Sequence, residues 1–322
     1  MKSGNVLAGF LFVLLANVSS HAQSGTIRGK VTDYFTGNGI ADVTVGAGTA
    51  CTIGGGIPKP QTIATTMTNA DGQYELNYPD PLFLRCSPFI IPIAGKPGYT
   101  FTHDTGANFI GTDRALGFVS AASFQPGITP EMPIAVFGNG LAEKTESAAS
   151  LPLPTTLANR QLMIAYAPGV EVPVNLLFVS PTQINFVLPE SLYSVVRGLS
   201  FPIKLVANGQ TLRIGWPGFI NVAPGLFSAN ADGAGVAAAV ALRVTADNRQ
   251  SYEPVARFDA AQNRYVPAPV DVSRTSDQVF LVLFGAGWRN YEATPYQTIF
   301  ASFGGDFYPV AFAGASPTLP GV

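Results

Sequence analysis

Histidine, cysteine and tryptophan occur only twice each in these 322 residues, and charged side chains make up just 12% of them. Each scarcity removes a class of chemistry. Two cysteines and the single histidine that remains once His21 leaves with an export signal cannot furnish a zinc site of the usual four-ligand kind. A balance of 18 basic against 20 acidic residues leaves no basic face to neutralise phosphates, which argues against nucleic acid as a partner. No G-x-S-x-G occurs, so a serine hydrolase lacks its nucleophile elbow. Long apolar runs are missing too. The longest, from Val6 to Ala16, falls well short of the ~20 residues a membrane-spanning helix needs, and Gly233 to Leu242 is shorter still.

What the first residues do contain is the order of an export signal. Lys2 gives a positive start, the Val6–Ala16 run follows, and Ser20-His21-Ala22, with small residues at its first and third places, sets a cleavage site before Gln23. Residues 1–22 therefore read as a signal peptide, and the mature chain as extracellular or periplasmic, with no transmembrane segment. His103 is then the one histidine left. Outside the cytoplasm, Cys51 and Cys86 read most simply as a disulfide, which would stabilise the fold by roughly 3–4 kcal/mol. Two free thiols are the alternative. Glycine (34) and proline (26) are abundant among Val, Ile, Thr and Phe, which predicts short strands and many turns.

Residues 25–118 read as one small sandwich. Thr26 to Thr32 alternates, with Ile27 and Val31 on one face. The turn cluster Thr36–Gly39 leads to a second strand at Ile40–Val45, with Val43 and Val45 inward. Thr62–Thr68 is a third, and Asn69-Ala-Asp-Gly72 a tight turn, after which Tyr74 and Leu76 point inward. Phe89–Ile93 and Tyr99–Thr102 complete the set. The stretches G-K-V-T-D-x-x-T-G-x-G-I-A-D-V-T-V (Gly29–Val45), Thr68–Leu76 and K-P-G-Y-T-F (Lys96–Phe101) resemble the carboxypeptidase regulatory-like domain. That resemblance implies a seven-stranded, transthyretin-like sandwich grouped with carbohydrate-binding-like folds. The matching positions are turns and core, so it implies fold more than function. The insertion Gly46–Pro60 and the stretch Pro79–Pro88 depart from the family, and each carries one cysteine.

Residues 119–322 differ in pattern. Ser120–Gly127, Ala135–Ala142, Leu153–Leu157, Leu176–Pro189 and Val222–Ser228 resemble an uncharacterised C-terminal domain family of secreted acidobacterial proteins, which has no functional residues to carry over. An internal echo points to two related modules: A-V-F-G-N-G-L at 135–141 matches L-V-L-F-G-A-G-W at 281–288. The expectation is an immunoglobulin-like sandwich over 119–229 and a second over 230–322. That second copy reads as incomplete, with unpaired edge groups, because the chain ends soon after Ser316-Pro-Thr318.

Candidate chemistry is thin. His103 beside Asp104 reads as a loop pair after a strand. Gly138-Asn-Gly140, Gly285-Ala-Gly287, Gly46-Ala-Gly48 and Gly54–Gly56 read as turns rather than phosphate cradles, because no Lys-Ser/Thr pair follows. The Asn-Ala-Asp-Gly turns at 69–72 and 230–233 lack the further oxygen ligands of a calcium loop and read as hairpin turns. Glu143 and Glu146 lie in a polar loop, where solvated charges are ordinary. The features that could bind are rings beside predicted turns: Tyr34, Phe35, Tyr78 and Tyr99, with Trp288 and Tyr291 later. Their ordinary fate is to fill cores and corners. The whole reads as tandem β-sandwiches in a secreted, non-enzymatic protein without a cofactor. Recognition of carbohydrate or of another surface protein is its leading role. A structural or adhesive spacer is the first alternative, and a hydrolase assembled by folding the second.

Overall fold

A computed structural model describes residues 25–51, 59–78, 91–104, 106–196, 198–288, 299–303 and 305–316. The protein is all-β: among the described residues its one α-helix, α1, is Tyr193–Val196. The chain divides into two compact units, one ending at Ala115 and the other beginning at Leu116.

In the first unit the strands are β1 (Gly25–Asp33), β2 (Thr44–Cys51), β3 (Lys59–Met67), β4 (Gln73–Tyr78), β5 (Ile91–Gly95), β6 (Thr100–His103) and β7 (Phe109–Thr112). They form two sheets, ordered β4-β1-β7-β6 and β3-β2-β5. Both sheets contribute to one core: Val31, Tyr74, Leu76 and Phe109 from the first, Val45 and Ala47 from the second. β1 shows why the pattern works, since its outward residues Thr26, Arg28 and Lys30 alternate with inward Ile27 and Val31. The expected strand at Ile40 begins later, at Thr44. Asp42 takes a left-handed φ of 55°, and Thr68 substitutes for a ladder by donating to Ile40 O (2.6 Å) and accepting from Val43 N (2.9 Å). The glycines Gly46 and Gly48 lie inside β2, not in a turn, and β2 and β3 extend as a long pair across much of the expected insertion. Cys86 and the side chain of Cys51 lie outside the described residues, as do Gly54–Gly56.

The turn at 69–72 joins strands of opposite sheets, so it is no hairpin. Asn69 Oδ1 accepts from Asp71 N (3.0 Å) and Gln73 N (2.9 Å), and Gly72 adopts φ 75°. Behind it sits Gly39. A methyl group on Gly39 would lie 2.0 Å from the Asp71 carbonyl oxygen, and one on Gly72 would lie 2.2 Å from Val31 O. The two backbones therefore meet where only glycine fits.

In the second unit, β8 (Gly117–Ser120), β9 (Pro133–Phe137), β10 (Glu146–Ser147), β11 (Gln161–Ala167), β12 (Val170–Pro173), β13 (Asn175–Val179), β14 (Gln183–Val187), β15 (Ile203–Ala207) and β16 (Gln210–Gly215) come first. They make a five-stranded sheet, β10-β13-β14-β9-β8, and a four-stranded one, β12-β11-β15-β16. Ile134, Val136, Ile184 and Phe186 from one and Leu162, Ile164, Ile203 and Leu205 from the other are fully buried in a single core.

After β17 (Gly225–Leu226) the character changes. β18 (Ala239–Val244), β19 (Gln250–Pro254) and β22 (Gln278–Leu283) form one sheet, β19-β18-β22. The hairpins β20 (Ala256–Asp259) with β21 (Arg264–Pro267), and β24 (Phe300–Phe303) with β25 (Asp306–Pro309), stand as separate pairs, and β23 (Gly285–Ala286) pairs with β17. From β18 onward the only buried apolar residues among those described are Ala241 and Ala286. Register places Tyr252, Leu242 and Phe280 in one row, with Val240, Val282 and Pro254 beside them on the same face. That face stays open: Tyr252 is 67% and Phe280 42% exposed. The opposite face carries Arg243, whose guanidinium meets the Glu253 carboxylate at 2.5 Å and Asp277 at 3.2 Å. The second Asn-Ala-Asp-Gly turn, at 230–233, again links different sheets, and its Asp232 bonds to Ser228.

Candidate functional site

A cleft of about 370 Å³ opens in the first unit. That volume falls within the range of small-molecule sites. Three segments line it: the loop after β1 (Asp33 to Ala41), the turn between β5 and β6 (Lys96, Tyr99), and Asp113-Arg114 just past β7. β1, β6 and β7 share one sheet, and their neighbouring ends bring the segments together.

The loop is built on Asp33. Its Oδ1 accepts from Phe35 N (3.0 Å), Thr36 N (2.8 Å) and the Thr36 hydroxyl (3.0 Å). Gly37 closes the turn at φ 70°. One oxygen of the Asp33 carboxylate is thereby committed to holding the loop. The loop delivers Phe35, which meets Tyr34 edge-to-face at 5.2 Å and lies beneath the Arg114 guanidinium, 4.9 Å from the ring centre. On the turn, Lys96 donates to Ala41 O (2.8 Å) and holds its ammonium 5.4 Å above the Tyr99 ring, which also stacks with Phe101 at 5.9 Å. Each cation thus sits against a ring. Neither hydrogen-bonds a carboxylate among the described residues; Asp113 approaches Arg114 only to 3.9 Å.

Of the four rings expected to bind, Phe35 and Tyr99 line this cleft, Tyr34 supports Phe35, and Tyr78 lies elsewhere. Tyr78 covers Gly25, its cross-strand partner, and packs on the core. Lys96 and Arg114 escaped the sequence reading because single charges beside turns look like ordinary solvated groups. Their signal was position: Lys96 directly follows β5, and Arg114 stands two residues past the end of β7.

The other candidates have structural explanations. His103 is the last residue of β6 rather than a loop residue, with its ring 4.4 Å from that of Phe109 across the strand pair. Glu146 accepts from Lys144 (3.1 Å) and Ala158 N (2.9 Å), contacts that hold its carboxyl below the usual range and keep it ionised. Glu143 is 93% exposed and 3.8 Å from Arg160. Gly140 takes a positive φ of 66°, so Gly138-Asn-Gly140 serves as a turn, whereas Gly285 and Ala286 form β23 and only Gly287, at φ 86°, bends the chain beyond it. Trp288 covers Gly285, and Tyr291 lies outside the described residues. Among the described residues Tyr74 is the one phenol with a marked shift, pushed up to about 12 by burial while it donates to Ala107 O. Among the described residues no three His, Cys, Asp or Glu side chains cluster as metal ligands would, and no helix is long and apolar enough to cross a membrane. Compared with known protein families and with curated proteins, the chain matches none of them.

Proposed function

We propose that the protein is an exported, non-catalytic recognition protein that binds carbohydrate in the cleft between Phe35 and Tyr99. The observation that carries this reading is the convergence of two rings, two cations and the polar Thr36 and Asn38 on one concavity. The seven strands of the first unit, four in one sheet and three in the other, support its assignment as a carboxypeptidase regulatory-like sandwich. The shared carbohydrate-binding-like architecture is an argument by analogy, so the test falls on the cleft. On a glycan array the full chain is expected to give a reproducible hit, and Phe35→Ala to weaken it about tenfold or more. A hit that Phe35→Ala leaves unchanged removes the cleft from the reading.

Export is the second half of the proposal. The product recovered outside the cytoplasm is expected to begin at Gln23; an intact Met1 start in the cytosolic fraction contradicts it. The open apolar face of β18, β19 and β22 favours a structural or adhesive role as the second reading, in which the array stays blank.

A further inference from the structure

We infer that the cleft takes an acidic saccharide, one bearing a uronate carboxylate, in preference to a neutral sugar. This rests on the carbohydrate reading above and specifies its ligand. A neutral sugar is held by laying its C–H face on a bare aromatic plane. Neither ring here offers such a plane freely: Arg114 covers Phe35, and Tyr99 lies between the contacts of Phe101 and Lys96. What the cleft offers instead is two cations, set among two acids. Lys96 and Arg114 both line it, and neither is hydrogen-bonded to a carboxylate among the described residues.

The two acids in the lining balance that charge formally, but neither hydrogen-bonds a cation among the described residues. Asp33 directs one carboxylate oxygen to three loop donors, and Asp113 stands 3.9 Å from Arg114, beyond hydrogen-bond reach. A guanidinium fork matches a planar carboxylate with two parallel bonds, and the ammonium adds a point charge. Thr36 and Asn38 supply groups suited to sugar hydroxyls. The rings beneath keep the cations in place, so binding costs little ordering of long side chains.

The test is calorimetric titration of the full chain with trigalacturonate and with neutral cellotriose, at low and at raised salt. Trigalacturonate is expected to bind about tenfold tighter than cellotriose and to weaken with salt. Arg114→Met and Lys96→Met, which keep apolar cover over each ring, are each expected to weaken trigalacturonate about tenfold and leave the melting temperature near that of the parent. Equal binding of the two sugars, or trigalacturonate binding that survives both variants, overturns the acidic preference while the carbohydrate reading stands. No binding of either sugar, together with a blank array, overturns both.

Discussion

Phe186→Ala is expected to cost about 3–5 kcal/mol of stability, the largest single loss in the second unit. Phe186 sits on β14, the central strand of the five-stranded sheet, and is 0% exposed. Its ring meets that of Phe118 edge-to-face at 6.3 Å, and Leu176 and Ile134 stand opposite it on the two flanking strands. Sheet strands on both sides restrain collapse, so truncation leaves a void that the surroundings cannot fill. Urea unfolding monitored on the second unit measures the effect. Phe186→Leu is expected to cost less, since it keeps half of the buried volume in place. A loss under about 1 kcal/mol for the alanine variant, typical of an unremarkable position, would show that this core is not the one described.

Arg243→Met is expected to loosen the β19-β18-β22 sheet at neutral pH. Arg243 is 9% exposed, and it ties three segments together: Glu253 on β19, the Asp271 carbonyl (2.5 Å) and Asp277, whose side chain is 5% exposed. Removing the cation strands two carboxylates that are held close together. The pH dependence has a definite sign. The hydrogen bond from Arg243, then its charge, depress the Glu253 carboxyl below its ordinary value. A depressed acid contributes stability above its unfolded pKa, and that contribution is lost as pH falls through the lower folded value. The parent sheet should therefore weaken in acid, below the usual glutamate range, while the variant, already weakened, changes less. Amide exchange in β18 reads both effects; protection is expected to fall roughly tenfold in the variant at neutral pH. Unchanged protection, or a gap between parent and variant that widens in acid, contradicts the assignment.

Strands with strict alternation were legible from the residues alone. Thr26 to Thr32 became β1 with the expected inward face of Ile27 and Val31. β7 was not read, because Phe109-Ile-Gly-Thr112 is only four residues long and is interrupted by a glycine. Gly46-Ala-Gly48 misled because glycine in a strand looks like a turn until its neighbours are known; here Ile93 lies 3.1 Å from where a Gly46 methyl would be. Both Asn-Ala-Asp-Gly turns were legible as turns, but which sheets they join depends on partners far along the chain. The cleft was half legible. Phe35 and Tyr99 were singled out as rings beside turns, yet nothing local says that β1, β6 and β7 bring them together. After residue 229 the rule that large apolar groups are buried gave little guidance: Phe307 is 74% and Phe312 83% exposed.

The fit of Gly39 against Gly72 bears on how readily the cleft could acquire new specificity. The loop carrying Phe35 is braced from behind by backbone that tolerates no side chain, and from within by the Thr36 hydroxyl on Asp33. Asn38, exposed at the cleft, is then a position where selection can exchange one side chain for another without disturbing the scaffold. Relatives sharing the two glycines and Thr36 should diverge at that position first.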